Sequence, residues 1–183
     1  ELFKEMQLPR QLRLLDLGAN GGGFPLLCFD LGFEFSALTC VEVNPFTHSR
    51  LSLNIRQNIG LRPKLLNVAI GGHSREITLS FPSGGTGFSI YGAKNGAASE
   101  DSIIEVLTLD EIMHRGFGDG VVDLCKMDVE GAEYEVLLGD SAESLRRVHY
   151  LVIEIHAAES ARRDALLRKI TDHGFERIKT STA

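Results

Sequence analysis

Tryptophan is absent from this chain, and cysteine is scarce: only Cys28, Cys40 and Cys125 occur in 183 residues. An odd number of cysteines, without the short spacings of metal sites, argues against a disulfide framework and a cysteine-based zinc site. Each cysteine lies in an apolar stretch, so we expect buried, reduced thiols. Reduced thiols favour a reducing, cytoplasmic location.

Positive charge is also in short supply, with 19 Lys and Arg against 25 Asp and Glu and a net charge of −6. Proteins that act on nucleic acids usually carry a basic face, so a nucleic-acid partner is disfavoured. The arginine pairs at residues 146–147 and 162–163 could form a local basic patch, but such pairs on helices are more often solvated. No apolar run is long enough to cross a bilayer, so we expect no membrane partner.

Length and composition indicate a single globular domain over residues 1–183, with 43% hydrophobic and 24% charged residues. The first residues show no signal-peptide pattern. The chain begins at Glu1 rather than Met, as a fragment would. The sequence leaves the oligomeric state open.

A strand-like apolar run over residues 12–17 leads into a glycine-dense turn and a helix-like segment. Gly18 and Gly21 lack a Cβ, so the backbone can turn sharply there and approach a ligand. The helix that follows would present free N–H groups towards that ligand. A second strand ends in Glu42, which is placed to accept hydrogen bonds from two ribose hydroxyls. This pattern is typical of a doubly wound α/β domain that holds an adenosine-containing cofactor.

Details of the turn favour S-adenosylmethionine over a dinucleotide. Asn20 replaces the second glycine of the dinucleotide fingerprint and would crowd a pyrophosphate. Asp16 would repel phosphate but suits the ammonium of a methionine moiety, and no basic residue lies in residues 16–24. A Walker-type loop is excluded because no Gly-Lys-Ser/Thr follows the glycines. The alternative is that these glycines only make a tight turn.

Strands and helices alternate along the chain. The expected strands cover residues 12–17, 37–43, 65–70, 121–127 and 149–155, and the expected helices cover residues 23–32, 45–58, 131–138 and 157–173. Asn44 caps the second helix and Pro45 occupies its first position, while Thr108 and Glu111 form a capping box. We expect a short helix or arm over residues 1–11 and a last strand over 175–178. The fold class is α/β, a doubly wound, mostly parallel sheet with helices on both faces.

An insertion over about residues 76–107 interrupts this alternation. It has an expected strand over 76–81, a stretch rich in Gly, Ser and Ala over 82–101, and a returning strand over 103–107. The middle stretch is either a lid over the substrate or the tip of a β-hairpin.

A second chemical cluster ends the fourth parallel strand. Alternation along the strand places Lys126, Asp128 and Glu130 on one side, and ligands bind at the carboxyl ends of strands in such sheets. The next strand sends Glu154 and His156 to the same edge. We therefore expect these side chains to lie near the cofactor.

These segments resemble the FkbM-type methyltransferase family. They are Asp-Leu-Gly-Ala-Asn-Gly-Gly (16–22), Val-Glu-Val-Asn-Pro (41–45), Thr-Leu-Asp-Glu-Ile (108–112), Lys-Met-Asp-Val-Glu-Gly-Ala-Glu-Tyr-Glu-Val-Leu (126–137) and Val-Ile-Glu-Ile-His (152–156). They follow the family's order and span nearly the whole chain. The resemblance implies a Rossmann-like class I methyltransferase fold. It also implies S-adenosylmethionine as cofactor and a small hydroxylated acceptor such as a sugar, polyketide or other metabolite.

The resemblance also implies roles for individual residues. The methionine end of the cofactor would be lined by Asp16, Gly18, Asn20 and Gly21. Glu42 would bind ribose with Asn44 beside it, Asn67 to Ala69 would border the adenine, and Asp128 and Glu130 would face the transferred methyl group.

Methylation of an alcohol oxygen requires a proton acceptor. We expect His156 in this role because its unperturbed pKa is about 6.5, with Asp128 and Glu154 as alternatives. Lys126 between carboxylates would hold them ionised. Glu133 is expected to complement a helix N-terminus.

A divalent metal is a further alternative, since Asp128, Glu130 and Glu154 could supply oxygen ligands. Lys126 or the sulfonium can balance these carboxylates equally well, so the sequence does not favour a metal.

Three other functions compete with methylation of a small molecule. A methylase of nucleic-acid bases is disfavoured, because residues 128–131 replace its Asn/Asp-Pro-Pro-aromatic motif. A nicotinamide-dependent oxidoreductase is weakened by Asn20. A non-catalytic module that binds S-adenosylmethionine stays open.

Overall fold

The computed structural model of the chain describes residues 3, 5–60, 62–82 and 99–178. The elements within these ranges are β1 (Gln11–Leu17), α1 (Gly23–Asp30), β2 (Glu34–Val41), α2 (Pro45–Asn58), β3 (Lys64–Leu66), β4 (Ala69–Ile70), β5 (Arg75–Pro82), β6 (Ser99–Leu107), α3 (Leu109–Phe117), β7 (Val122–Met127), α4 (Glu133–Leu138), a 3₁₀ helix (Asp140–Arg147), β8 (Val148–Ile153) and α5 (Ser160–Asp172). None of the helices in these ranges has the length and apolar character needed to span a bilayer.

Five strands form a parallel sheet in the order β3-β2-β1-β7-β8. The chain builds outward from β1 to β3 and then returns to add β7 and β8 on the other side of β1. Strand order therefore reverses between β1 and β7, the position at which doubly wound sheets bind ligands. The predicted α/β fold class is confirmed.

Helices cover both faces of this sheet. Leu14 packs with Leu51 and Ile55 of α2 on one face, while Leu15 packs with Ile112 of α3 and Leu137 of α4 on the other. Successive side chains of β1 point to opposite faces, and both leucines are fully buried. Two apolar cores therefore hold the strand ends in fixed positions.

Two helix starts agree with the expectations from sequence. The Asn44 Oδ1 atom accepts hydrogen bonds from the backbone N–H groups of Phe46 and Thr47, and Pro45 is the first residue of α2. Thr108 and Glu111 form the predicted capping box of α3. These features were predictable because each depends on a few consecutive residues.

A second sheet contains three strands in the order β4-β6-β5. β5 and β6 form an antiparallel pair, as predicted for the insertion, whereas β4 pairs with β6 in parallel. The prediction of one strand over residues 65–70 is therefore wrong: β3 belongs to the first sheet and β4 to the second. The break falls at Asn67, whose side-chain amide donates to the carbonyl oxygens of Glu42 and Val43.

The second sheet is fastened to α4. Arg75 of β5 makes two hydrogen bonds to the Glu135 carboxylate, at 2.7 and 3.2 Å. The same carboxylate accepts the backbone N–H of Gly72. This arrangement fixes β4 beside the carboxyl ends of the parallel strands.

Four further expectations differ from the structure or lie beyond it. Residues 175–178 form no strand, and residues 5–10 form no helix, which agrees with the alternative of an arm. β6 begins at Ser99, inside the stretch expected to be a loop. Residues 83–98 lie outside the described residues, so the lid stays a prediction.

Candidate functional site

An open cleft lies over the carboxyl ends of β1, β2 and β7. The lining residues are Gly18, Asn20, Val41, Glu42, Val43, Asn44, Val68, Ala69, Ile70, Asp128, Val129, Glu130 and Ala132. The cleft thus draws on both sheets.

The turn after β1 packs directly against the turn after β7. Gly18 has a φ of +73°, and a Cβ built on it would lie 1.7 Å from the carbonyl oxygen of Asp128. Asn20 also adopts a positive φ, of 49°, which asparagine tolerates better than most residues. Glycine at position 18 is therefore required both by the backbone conformation and by the close approach of the two turns.

Glu42 projects into the cleft directly after β2 and is only 8% exposed. Its two carboxylate oxygens accept backbone N–H groups, one from Asn20 and one from Asn44, each at 2.9 Å. Burial raises the pKa of Glu42, and these two hydrogen bonds oppose that rise. A carboxylate has about four acceptor positions, so Glu42 can still accept hydrogen bonds from two ligand hydroxyls.

A chain of charged groups runs beneath the cleft. Asp16 is fully buried on β1, and its Oδ1 atom lies 3.6 Å from the Lys126 ammonium, an ion pair rather than a hydrogen bond. The ammonium also donates to the carbonyl oxygen of Gly18 at 2.7 Å and lies 3.2 Å from Asp128 Oδ2. Lys126 thus joins three parts of the site through one hydrogen bond, to Gly18, and two ion pairs, to Asp16 and Asp128.

Asp128, Glu130 and His156 converge at the mouth of the cleft. The His156 Nε2 atom lies 3.3 Å from Glu130 Oε2 and 3.9 Å from Asp128 Oδ1. Glu130 has a φ of 52°, and such strained residues are concentrated at functional sites. One ligand-type atom from each residue lies within 4.8 Å of the other two.

Glu133 organises this cluster from below. It is the first residue of α4 and is fully buried. Its carboxylate accepts the backbone N–H groups of Gly131 and His156, at 2.9 and 2.8 Å, and lies 3.3 Å from His156 Nδ1. Its position in the first turn agrees with the expected complement to the helix N-terminus, but its links to Gly131 and His156 depend on the tertiary fold.

The structure brings most of the predicted site residues together. Gly18, Asn20, Glu42, Asn44, Ala69, Asp128 and Glu130 line the cleft, and Gly21 lines an adjoining groove together with Lys126. Asp16 lies beneath the cleft, and Asn67 fastens the loop after β2 instead of lining it. Glu154 is exposed and outside the cluster formed by His156, Asp128 and Glu130.

The family resemblance implied Val68, within residues 67–69, as a border of the ligand, but the sequence did not identify Val43 and Ile70, which form the apolar wall of the cleft together with Val68. The location of Ile70 in β4, a strand of the second sheet, could not be inferred from the sequence.

The cleft carries an uneven charge. Three carboxylates, those of Glu42, Asp128 and Glu130, lie along it, and its described lining includes no lysine or arginine, while Lys126 in the adjoining groove pairs with Asp128. The carboxylates of Glu42 and Glu130 still favour an electropositive ligand over one with a pyrophosphate group.

A doubly wound sheet with a cleft at its switch point and an acidic residue directly after β2 defines the class of α/β domains that bind ligands at the carboxyl ends of their strands. Within this class, the family model of the methyltransferase FkbM domain matches residues 16–177. The chain therefore belongs to the FkbM methyltransferase family, as the sequence resemblance indicated.

Two relatives show how far this likeness extends. The AMB antimetabolite synthetase AmbE of Pseudomonas aeruginosa is 26% identical over an alignment of 207 residues. The alignment includes 92% of this chain but only 10% of the synthetase. The crystal structure of methyltransferase FkbM from Methylobacillus flagellatus has a TM-score of 0.59 and 18% identity. The match covers 92% of this chain and 38% of that one. The second comparison supports the fold alone.

Proposed function

We propose that this domain transfers a methyl group from S-adenosylmethionine to a hydroxyl oxygen of a small metabolite, sugar or polyketide. The observation that carries the proposal is the cleft itself: Glu42 is set to receive a ribose, and no basic residue among the described lining groups could neutralise a pyrophosphate. The antimetabolite synthetase among the relatives supports a small-metabolite acceptor.

The residues present fit this cofactor. Glu42 would accept the two ribose hydroxyls, and Val43, Val68 and Ile70 offer an apolar wall for the adenine. Asp128 and Glu130 supply negative charge opposite a sulfonium. When bound, S-adenosylmethionine supplies an electrophilic methyl group on its sulfonium sulfur.

The chain's own residues then align the acceptor and remove its proton. His156 Nε2 lies near Asp128 and Glu130. On the other side of the residue, the buried Glu133 carboxylate accepts the His156 backbone N–H and lies 3.3 Å from Nδ1. His156 is therefore the favoured proton acceptor, with Asp128 as the alternative. Lys126 acts as a positioning residue, because its contacts are the Gly18 carbonyl, Asp16 and Asp128. Glu154 is less favoured because it is exposed.

We also propose a reducing, cytoplasmic location. Cys28, Cys40 and Cys125 are buried as free thiols. Burial raises the pKa of Cys28 to about 12 and raises the pKa values of the other two thiols. Such thiols are unreactive.

Titration calorimetry tests the cofactor. We expect S-adenosylmethionine and S-adenosylhomocysteine to bind the wild-type protein and NAD⁺ not to bind. Replacing Glu42 by Gln should weaken both sulfur nucleosides about 10–100-fold, because hydrogen bonds to a charged acceptor are lost. The matched control is Glu34→Gln, at the exposed first position of β2, the strand that precedes Glu42; this variant should bind as the wild type does.

Two outcomes would contradict the proposal. Binding of NAD⁺ alone would support the oxidoreductase alternative. Binding of S-adenosylmethionine without formation of S-adenosylhomocysteine, across a panel of hydroxylated metabolites, would support the non-catalytic module.

A further inference from the structure

The cluster of Asp128, Glu130 and His156 combines two carboxylates and an imidazole from two separate segments of the chain. Asp128 and Glu130 follow β7, whereas His156 follows β8. The sequence suggests Glu154 as the third ligand, but the structure places His156 there instead. An imidazole changes the chemistry, because nitrogen donors suit transition metals while carboxylates suit Mg²⁺ and Mn²⁺.

The distances within the cluster suit a shared ion. Ligand atoms about 2.1 Å from one ion lie about 3.0 Å apart at a right angle and about 4.2 Å apart on opposite sides. The separations from His156 Nε2 are 3.3 Å to Glu130 Oε2 and 3.9 Å to Asp128 Oδ1. Both fall between these limits.

The surroundings of His156 give a second, independent observation. Metal-binding histidines commonly present their other ring nitrogen to a carboxylate, which fixes the ring and raises its basicity. Here the carboxylate of Glu133, which is fully buried and outside the cluster, lies 3.3 Å from His156 Nδ1, within ion-pair distance but outside hydrogen-bond geometry. This arrangement leaves the Nε2 atom directed at Asp128 and Glu130.

Asp128 divides its two oxygens between two partners. Oδ2 lies 3.2 Å from the Lys126 ammonium, whereas Oδ1 faces His156. Lys126 therefore holds the carboxylate without occupying the oxygen that an ion would need.

From this geometry we propose that Asp128, Glu130 and His156 bind a divalent cation, with Mn²⁺ the ion best matched to mixed oxygen and nitrogen donors. Asp128 and Glu130 also line the cleft, so the ion would lie at its mouth. Three protein ligands leave further coordination positions open for water or for an oxygen of the acceptor.

The role of the ion, unlike its binding, rests on the proposed function. A bound cation would lower the pKa of an acceptor hydroxyl, and the proton would pass to water as the hydroxyl oxygen takes the methyl group and the sulfonium becomes a neutral thioether. With the ion bound, His156 Nε2 would be a ligand and water would be the proton acceptor. Without the ion, His156 would keep the role of proton acceptor given under the proposed function.

Manganese binding tests the site directly, without cofactor or acceptor. Chelator-treated protein is titrated with MnCl₂ by calorimetry, and free Mn²⁺ is followed by electron paramagnetic resonance. We expect one Mn²⁺ per chain. Glu130→Gln, His156→Gln and Asp128→Asn should each weaken binding about tenfold or more. The matched control is Glu154→Gln, which removes one carboxylate two residues before His156 and should bind as the wild type does.

Urea unfolding of every variant identifies any that do not fold, and three ligand variants keep the test informative if one is lost. The proposal would be overturned if the wild type bound none of Mn²⁺, Mg²⁺ and Zn²⁺. It would also be overturned if Glu154→Gln weakened Mn²⁺ binding as much as the three ligand variants do. Calorimetry with S-adenosylmethionine on the same samples separates the two proposals. Cofactor binding without Mn²⁺ binding leaves the proposed function intact, and the reverse result leaves only the cation site.

Discussion

Asp16 is a fully buried carboxylate, and neither of its oxygens has a hydrogen-bond partner among the described residues. Burial raises its pKa to about 6, although the Lys126 ammonium partly offsets this rise. The fold tolerates this unfavourable group because Asp16 helps to hold Lys126, and Lys126 in turn fixes the Gly18 turn and Asp128. We infer that Asp16 positions the site from beneath the cleft.

The raised pKa of Asp16 predicts a pH dependence of stability. From about pH 4 to about pH 6, the folded chain keeps a proton that the unfolded chain, with the ordinary pKa of 3.8, has lost. The Asp16 contribution to the free energy of unfolding therefore falls as pH rises through this window. The shift corresponds to about 3 kcal/mol in total.

Urea denaturation of wild type and Asp16→Asn, at intervals from pH 4 to about pH 7, measures this contribution. We expect the stability of the wild type to decline relative to that of the variant as pH rises. Asp30→Asn removes an exposed carboxylate and should run parallel to the wild type. Parallel curves for Asp16→Asn and wild type would contradict the prediction.

At the scale of elements, the sequence predicted what depends on neighbouring residues. The β1 turn and the Asn44–Pro45 start of α2 carry their signals within a few positions. The division of residues 65–70 between two sheets was not predictable, because Asn67 bonds to the backbone after β2. Contacts between distant segments also decide which of Glu154 and His156 faces Asp128. The sequence placed both residues at one edge of the sheet but could not distinguish them.

The contact between the β1 and β7 turns predicts a large effect of Gly18→Ala. The new Cβ would overlap the Asp128 carbonyl oxygen in a left-handed backbone conformation. The two effects together should lower the free energy of unfolding by about 3 kcal/mol or more. Urea denaturation measures the loss.

Gly32→Ala is the matched control for this substitution. Gly32 also has a positive φ, of 89°, but apart from its chain neighbours no atom of the described residues lies within 4 Å of the position that a Cβ would occupy. We expect a loss of about 1–2 kcal/mol there, from the backbone conformation alone. Equal losses at the two glycines would show that the contact between the turns contributes nothing.

At the scale of the whole molecule, the cleft joins two sheets that share no strand. Glu42 and Asp128 extend from the parallel sheet, whereas Ala69 and Ile70 belong to β4 of the second sheet. The second sheet is fastened to α4 through Arg75 and Glu135. A ligand that fills the cleft must therefore contact both sheets, and its binding free energy should stabilise both against opening.

Hydrogen exchange with S-adenosylhomocysteine tests this coupling. At 100 times its Kd, a ligand that binds only the folded chain raises the free energy of unfolding by about 2.7 kcal/mol. We expect slower exchange at the Asn20 and Asn44 amides, which bond to Glu42. Exchange should also slow at Gly71, whose N–H bonds to the Leu107 carbonyl beside β4. Glu42→Gln at the same ligand concentration should show less protection in both sheets. Protection confined to the parallel sheet would mean that β4 forms no part of the binding site, and the apolar wall would then have to lie elsewhere.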